Sequence, residues 1–297
     1  MELCLGTVQF GMKYGLNQKK QPSFDYSIKC LDYATQNGVS AIDTAAAYGN
    51  AEQIVGCFLS KQTISRDKLF ISTKMQPNSL DDIHPEQYAG VIKTHLEKSL
   101  QRLHTDYVDA FFFHSSRYAF QPQMIEALRA VQAEGYARKS GVSIYDPDEA
   151  LACAANHNIS IVQAPYSVFD HRLKDSNALY ALEQANIEVH VRSAFLQGLI
   201  LMKEDAVPSH LADAKPTIRQ IESLCKKAGI SRSALALAYV KRESCISRLV
   251  FGIHSMEQLQ ENIAFFGKSV SKDVLAEAEA LFADMPTSIV IPSLWKK

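Results

Sequence analysis

Short apolar segments recur along the chain at a spacing that is typical of strands alternating with helices. Eight of these segments have the length and the β-branched or aromatic content of strands. They cover Glu2–Val8, Val39–Asp43, Leu69–Lys74, Tyr107–His114, Lys139–Ser143, Ile159–Gln163, Glu188–Ser193 and Arg248–Gly252. Because strands that alternate with helices pair side by side in one direction, the pattern predicts a parallel sheet.

The segments between these strands place apolar residues three and four positions apart, which predicts amphipathic helices. The helices are predicted at Ser27–Asn37, Ala51–Ser60, Gln87–Leu103, Pro122–Glu134, Asp146–Asn156, Ser176–Ala185, Ile218–Ala228, Ser231–Glu243, Met256–Phe266 and Ser271–Ala283. Residues 195–217 contain one glycine and two prolines, and are expected to form a long loop after the seventh strand. The sequence therefore predicts a single α/β domain over residues 1–297, a (β/α)8 TIM barrel, with an irregular C-terminal tail from about 284 to 297.

Composition limits the class of protein without identifying it. The 297 residues are 47% hydrophobic, enough for one large core, and the 31 basic and 32 acidic residues nearly cancel. The six cysteines form no CxxC pair and no cluster with metal-ligand spacing, so we expect no metal site and a reducing compartment. With no signal-peptide pattern and no apolar stretch long enough to cross a bilayer, we expect a cytoplasmic protein, a monomer or small homo-oligomer, that binds neither nucleic acid nor membrane.

Four residues with complementary chemistry lie near the ends of the first predicted strands. Asp43, Lys74 and His114 each close an apolar run, and Tyr48 follows Asp43 by five positions. Because parallel strands of a barrel end at the same rim, we expect these four side chains to meet there. Taken singly, each residue is better explained by a structural role: a helix-capping aspartate, a tyrosine at the rim, a lysine that extends to solvent or a core histidine.

A phenol beside a paired ammonium, with an imidazole opposite, is suited to giving a proton to a carbonyl oxygen. A tyrosine donates readily near neutral pH only if its pKa falls from ~10, and an ammonium held by a carboxylate would lower it. We therefore expect Lys74, fixed by Asp43, to lower the pKa of Tyr48. His114 would donate a hydrogen bond to the substrate oxygen as negative charge develops there.

The ordered set of motifs resembles the aldo-keto reductase superfamily over nearly the whole chain. The matching residues are Gly6-Thr7, the DxxxxY of Asp43 and Tyr48, Lys74, His114, Gly141-Val-Ser143, Gln163, Ser193 with Gln197-Gly198, and Gly252 followed by Gln258-Leu-Gln-Glu-Asn262. The resemblance implies a TIM barrel that reduces an aldehyde or ketone to the alcohol, reversibly, with NAD(P)H. It also implies that Tyr48 is the general acid, assisted by Lys74, Asp43 and His114.

The resemblance further implies a nicotinamide cofactor extended across the barrel mouth. The implied cofactor-binding residues are Gly6, Thr7, Asp43, Ser143, Gln163, Arg192, Ser193, Phe195, Gln197, Gly198, Gly252, His254, Ser255, Gln258, Glu261 and Asn262. The chain departs from the family where Ile144 replaces an asparagine and Arg192 replaces a stacking aromatic ring. Family precedent favours NADP(H), with NAD(H) as the alternative.

The residues with which some family members hold the 2′-phosphate of NADP are also replaced. Gly252 and Gln258 stand where a lysine and an arginine occur in those members. His254 and Ser255 are the substitutes that the sequence suggests. Discrimination between NADPH and NADH is therefore expected to be modest.

A small-molecule carbonyl compound is the expected substrate. Its pocket is expected to include Val8, Phe10, Tyr14, Gln76 and Ser115, a partly polar set that favours a sugar or small oxo-compound. Two other functions remain open from the sequence. One is a nicotinamide-binding regulatory or scaffold module with little turnover, and the other is a barrel isomerase or lyase that uses Lys74 to form an imine.

Overall fold

The computed structural model describes residues 1–16, 20–61, 64–156 and 158–295. Eight parallel strands close into a barrel in chain order, with β1 paired to β8. The strands are β1 (Glu2–Gly6), β2 (Ala41–Asp43), β3 (Phe70–Lys74), β4 (Val108–Phe113), β5 (Ala137–Ser143), β6 (Ile161–Pro165), β7 (Glu188–Arg192) and β8 (Ile246–Phe251). The predicted (β/α)8 barrel is thereby confirmed, and each predicted strand overlaps one of these eight.

Helices alternate with the strands and pack their apolar faces on the barrel. They are α1 (Val8–Gly11), α2 (Phe24–Gln36), α3 (Ala51–Lys61), α4 (Tyr88–Leu103), α5 (Pro122–Val131), α6 (Pro147–Asn156), α7 (Arg172–Asp175), α8 (Ala178–Gln184), α9 (Lys215–Ala228), α10 (Arg232–Lys241), α11 (Met256–Phe266), α12 (Lys272–Leu281) and α13 (Thr287–Val290). No helix in the described ranges is long and apolar enough to cross a membrane.

Serine side chains begin several of these helices. Ser23, Ser231, Ser255 and Ser271 each accept a hydrogen bond from the backbone N–H three residues later. This bond satisfies one of the donors that a helix leaves unpaired in its first turn. The caps fix where α2, α10, α11 and α12 begin, and α10 and α11 both begin at the rim of the barrel that carries the site described below.

Two segments are more ordered than their composition predicts. The expected loop over residues 195–217 contains 3-10 helices at Leu196–Leu201, Glu204–Ala206 and Ser209–Ala214 before α9 begins. The tail after residue 284 includes α13 and a 3-10 turn at Pro292–Leu294. Trp295 anchors this tail, because its side chain is buried and its indole N–H donates to the Ile289 carbonyl at 3.0 Å.

The floor of the barrel, at the amino ends of the strands, is closed by charged and aromatic side chains. Arg248 of β8 stacks on the ring of Phe70 at 4.0 Å, and its guanidinium lies 2.9 Å from Glu2 and 3.5 Å from Glu188. The fully buried His190 lies 3.2 Å from the same guanidinium. This floor is at the opposite end from the strand termini where Asp43 and Lys74 lie.

Candidate active site

The structure brings the four predicted catalytic residues together at the carboxyl end of the barrel. Asp43 is the last residue of β2, Lys74 the last of β3, and His114 follows β4 directly. Lys74 Nζ lies 2.5 Å from Asp43 Oδ2 and 5.3 Å from the centre of the Tyr48 ring. The rings of Tyr48 and His114 meet edge to face, with centroids 5.7 Å apart.

The Lys74 ammonium is fully buried and its position is fixed by two acceptors. It donates to the Asp43 carboxylate and to the Thr44 carbonyl oxygen, the latter at 3.1 Å. The other carboxylate oxygen of Asp43 accepts from Ser72 Oγ at 2.9 Å and from Gln163 Nε2 at 2.8 Å. A buried charge is tolerated only when it is paired and hydrogen-bonded, and this network meets both conditions.

The electrostatics of Tyr48 differ from the sequence expectation. Burial raises the pKa of Tyr48 well above its usual value of about 10, and the Asp43 carboxylate raises it further. The expected net lowering is not found, because burial of the phenol is the largest effect and the Asp43 carboxylate paired with Lys74 also raises the pKa of Tyr48. Tyr48 is therefore held as the protonated phenol, which is the form that can donate a proton.

His114 is held in its neutral form. Burial lowers the pKa of His114 to about 3, and the nearby charges of Lys74 and Arg192 act in the same direction. Its Nδ1 is buried and has no hydrogen-bond partner among the described residues. A neutral imidazole has one N–H donor, so it can hydrogen-bond a carbonyl oxygen without adding charge to the site.

Two glycines set the position of the turn that carries Tyr48. A Cβ at Gly11 would lie 1.7 Å from the Tyr48 carbonyl oxygen. Gly49 has φ +56°, and a Cβ there would lie 2.2 Å from the Gly11 carbonyl oxygen. Backbone therefore packs directly on backbone between α1 and the Tyr48 turn, a contact that only glycine permits.

A cavity of about 470 Å³ opens beside Tyr48 and Asp43 and extends to the start of α11. Its volume is in the range of small-molecule sites in proteins. Most of the predicted binding residues line it: Gly6, Thr7, Val8, Tyr14, Asp43, Gln163, Arg192, Ser193, Phe195, Gln197, Gly198, Gly252, His254, Gln258, Glu261 and Asn262.

Two predicted cofactor-binding residues lie outside this lining. Ser143 is buried at the end of β5, and Ser255 caps α11 by accepting from the Gln258 backbone N–H at 3.3 Å. The Gln258 side chain is also engaged, since its oxygen accepts from the His254 backbone N–H at 2.8 Å. Burial lowers the pKa of His254 below its usual value, so this ring is neutral near pH 7.

Three predicted substrate-binding residues also lie outside the cavity lining. Phe10 is 1% exposed and packs in the hydrophobic core. Gln76 points to solvent, and the Ser115 hydroxyl exchanges hydrogen bonds with the backbone N–H and side-chain oxygen of Asn78 at 2.8 and 2.9 Å. Of the predicted substrate residues, Val8 and Tyr14 line the cavity.

The two departures from the family pattern contact each other. Arg192 Nη2 donates to the Ile144 carbonyl oxygen at 2.9 Å, and the guanidinium stacks on the ring of Tyr145 at 4.5 Å. Arg192 thus holds the loop after β5 while one of its faces lines the cavity near Tyr48.

The loop after β7 has an unusual backbone where it borders the cavity. Ser193, Leu196 and Gln197 have φ values of 66°, 47° and 53°, a region that side chains other than glycine rarely adopt. Such strain persists where surrounding contacts enforce it, and it concentrates at functional sites. One such contact comes from the segment after α1, where the Leu16 N–H donates to the Gln197 carbonyl at 3.1 Å.

The sequence prediction missed the part of the lining that comes from the start of α10. Ser231, Arg232 and Ser233 all border the cavity. The serine before an apolar helical run marked a helix start, but nothing local indicated that this start faces the cavity.

Gly252, which was predicted, also borders the cavity. A Cβ there would lie 2.2 Å from the Gln9 amide, so Gln9 occupies space that a longer side chain at 252 would need.

The chemistry of the lining fits a nicotinamide dinucleotide. Gln163 and Asn262 contribute side-chain amides to the lining, and His254 Nδ1 is buried without a partner in the described part of the chain. The Arg232 guanidinium, at the start of α10, is a group of the lining that suits a phosphate. No cluster of metal-ligating side chains occurs among the described residues.

Comparisons with known proteins agree with the geometry. The model of the Aldo/keto reductase family matches residues 2–283. The oxidoreductase YqkF of Bacillus subtilis (strain 168), itself uncharacterized, is 27% identical over 80% of this chain and 81% of its own length. The NADH-specific methylglyoxal reductase of Escherichia coli (strain K12) is 28% identical over 82% of this chain and 84% of its own.

A solved structure shows the same fold. The aldo-keto reductase AKR11C1 from Bacillus halodurans, in its holo form, superposes with a TM-score of 0.79 at 20% sequence identity, covering 97% of this chain and 95% of that one. Because the family model matches nearly the whole chain, the chain belongs to the aldo/keto reductase family of NAD(P)H-dependent oxidoreductases.

Proposed function

We propose that this protein reduces an aldehyde or ketone to the corresponding alcohol, reversibly, with Tyr48 as general acid. The observation that carries this proposal is the arrangement of Tyr48 between the Asp43–Lys74 ion pair and the His114 ring, at the edge of a cavity that can hold a dinucleotide. A bound nicotinamide supplies the hydride, and the protein supplies the proton.

Tyr48, Lys74 and Asp43 have distinct roles in the transfer of a proton to the substrate oxygen. The Tyr48 phenol donates its proton to the carbonyl oxygen as negative charge develops there. The Lys74 ammonium, 5.3 Å from the phenol ring, stabilises the phenolate that remains. Asp43, fixed by Ser72 and Gln163, keeps that ammonium in position.

His114 orients the substrate. Because its imidazole is neutral, it donates a single hydrogen bond to the carbonyl oxygen and accepts no proton from Tyr48 in the physiological range. The edge-to-face contact of its ring with the Tyr48 ring supports a role for both side chains at one substrate oxygen.

We propose NADP(H) as the cofactor, with NAD(H) as the alternative, in a cytoplasmic monomer or small homo-oligomer. For the cofactor, the support is a cavity of about 470 Å³ that includes Arg232 in its lining. One relative is named an NADH-specific methylglyoxal reductase, so membership of the family does not by itself decide the nucleotide.

A small polar carbonyl compound remains the proposed substrate. Of the polar residues predicted to bind the substrate, Gln76 and Ser115 lie outside the cavity lining and Tyr14 lies in it, together with Arg192. The phenol and the guanidinium offer hydrogen bonds to hydroxyl or oxo groups of a sugar or small oxo-compound.

The imine-forming lyase is disfavoured by the state of Lys74. Its ammonium is 0% exposed and paired with Asp43 at 2.5 Å, whereas an imine-forming lysine must be a free amine within reach of the substrate. A binding module without turnover would retain the same cavity, so it is tested directly below.

The test measures the oxidation of NADPH, through the loss of its absorbance, in the presence of a panel of sugar aldehydes, small oxo-compounds and aromatic aldehydes. Turnover with wild type and its loss in Tyr48→Phe would support the proposal. Binding of NADPH without turnover on any carbonyl would favour the regulatory module, and trapping of substrate on Lys74 by borohydride would favour the lyase.

A further inference from the structure

The cavity has a different cationic side chain at each end. Arg192 and Arg232 are the arginines of the described lining, which contains no lysine. Arg192 lies at the catalytic end, because it is the last residue of β7 and so shares the barrel rim with Asp43 and Lys74. Arg232, at the first position of α10, borders the cavity together with residues of the neighbouring helix α11.

Arg232 is held in place but is not neutralised. Its Nη1 donates to the Met202 carbonyl oxygen at 2.5 Å, which fixes the half-buried side chain. It forms no ion pair with a carboxylate among the described residues. A guanidinium has five N–H donors, so most of its hydrogen-bonding capacity is available to a ligand in the cavity.

The α11 groups that the sequence suggested for a phosphate are occupied or uncharged. Ser255 and Gln258 use their side-chain oxygens as caps for α11 and the turn before it. His254 is a neutral ring near pH 7. Glu261 also borders this end of the cavity, and its carboxylate would repel a phosphate dianion unless a cation lay beside it.

We infer that Arg232 binds the 2′-phosphate of NADP(H) and sets the preference of this protein for NADP(H) over NAD(H). The inference rests on the proposed function, and it assigns the role to a residue outside the segment 252–262. The guanidinium forms a forked, charge-assisted contact with phosphate oxygens. Backbone N–H groups in the first turn of α10, beside the Ser231 cap, add further donors.

The experiment measures binding rather than activity, with fragments that differ only in this phosphate. Binding of 2′,5′-ADP and 5′-AMP to wild type is measured by isothermal titration calorimetry, and binding of NADPH and NADH by protein fluorescence. In each pair, the ligand with the 2′-phosphate should bind more tightly. In Arg232→Gln, affinity for 2′,5′-ADP and NADPH should fall about 10- to 100-fold, as expected for loss of one or two charged hydrogen bonds. Affinity for 5′-AMP and NADH should remain within threefold.

Two further variants control for charge and folding. Arg232→Lys retains the charge without the fork and should show an intermediate loss for the 2′-phosphorylated ligands. Arg219→Gln removes an exposed arginine of α9 that pairs with Glu204 outside the cavity lining, and should leave all four affinities unchanged. Glutamine at 232 can still donate to the Met202 carbonyl, so the fold of the start of α10 should be retained.

The outcomes separate this inference from the proposed function. If Arg232→Gln keeps the wild-type discrimination, or if wild type binds 2′,5′-ADP and 5′-AMP equally, the inference is wrong while carbonyl reduction with either nucleotide stands. If wild type binds neither NADPH nor NADH, the proposed function fails, and the inference fails with it.

Discussion

At the scale of single residues, the proton on Tyr48 is the feature on which the proposed chemistry depends. Tyr48→Phe removes this proton and little of the cavity surface, so we expect carbonyl reduction to fall 10²- to 10⁴-fold. Binding of NADPH, measured by fluorescence titration, should be almost unchanged. Activity within threefold of wild type would exclude Tyr48 as the acid.

His114 gives a prediction about stability and pH. Its pKa is lowered to about 3 in the folded protein, against about 6.5 when exposed, so the unfolded chain binds one proton more between these values. Stability should therefore decrease as pH falls from about 6.5 toward 3, and be independent of this group above about 7.5. Urea midpoints of His114→Gln should fall less steeply over this range than those of wild type.

A matched control for this histidine is available on the surface. His84 is 69% exposed at its side chain, and His84→Gln should leave the wild-type slope unchanged. Equal slopes for His114→Gln and wild type would show that His114 titrates in the folded state as it does in water, which would contradict its neutral role in the site.

Lys74 and Asp43 act on Tyr48 through charge and position. Lys74→Met leaves the Asp43 carboxylate buried without its partner, so both kcat and stability should fall. Asp43→Asn should act in the same direction on kcat. The measurements are the rate of carbonyl reduction at saturating NADPH and a urea unfolding curve. A loss of stability in Lys74→Met with kcat unchanged would assign Lys74 a structural role only.

At the scale of elements, the contact between α1 and the Tyr48 turn should be the most sensitive to a small substitution. Gly11→Ala places a methyl group 1.7 Å from the Tyr48 carbonyl oxygen, where only backbone could move aside. We expect loss of carbonyl reduction of at least 10²-fold, because a shift of about 1 Å at a catalytic group has that effect. Gly90→Ala is the control for activity, since this exposed glycine of α4 has no left-handed backbone and its Cβ would meet nothing within 4 Å.

The elements also show how far sequence patterns reach. Asp43, Lys74 and Tyr48 were predictable because strand order in a parallel barrel decides where strand ends meet. Phe10 lies in the short helix α1, and Gln76 and Ser115 lie in loops, where the direction of a side chain depends on contacts such as that between Ser115 and Asn78. Arg232 was missed for the same reason, since its position at the cavity follows from how α10 packs beside α11.

At the scale of the whole molecule, the barrel separates stability at its floor from chemistry at its rim. Arg248 joins the first, seventh and eighth strands at the floor through Glu2, Glu188 and His190, and it covers the ring of Phe70. Because Glu2, Glu188 and Phe70 are the first residues of their strands, the cluster closes the end of the barrel opposite to the rim that carries Tyr48.

The floor therefore predicts a variant that loses stability without losing catalysis. Arg248→Ala should lower the free energy of unfolding by roughly 2–3 kcal/mol, since it leaves Glu188 and His190 without this partner. Arg138→Ala, which removes an arginine that is 52% exposed and 3.2 Å from Asp109, should cost less than about 1 kcal/mol. Urea unfolding measures both values. At a temperature where both variants are folded, the rate of carbonyl reduction per folded molecule should match that of wild type. A lower rate in Arg248→Ala would mean that the floor also sets the position of the strand ends that carry Asp43 and Lys74.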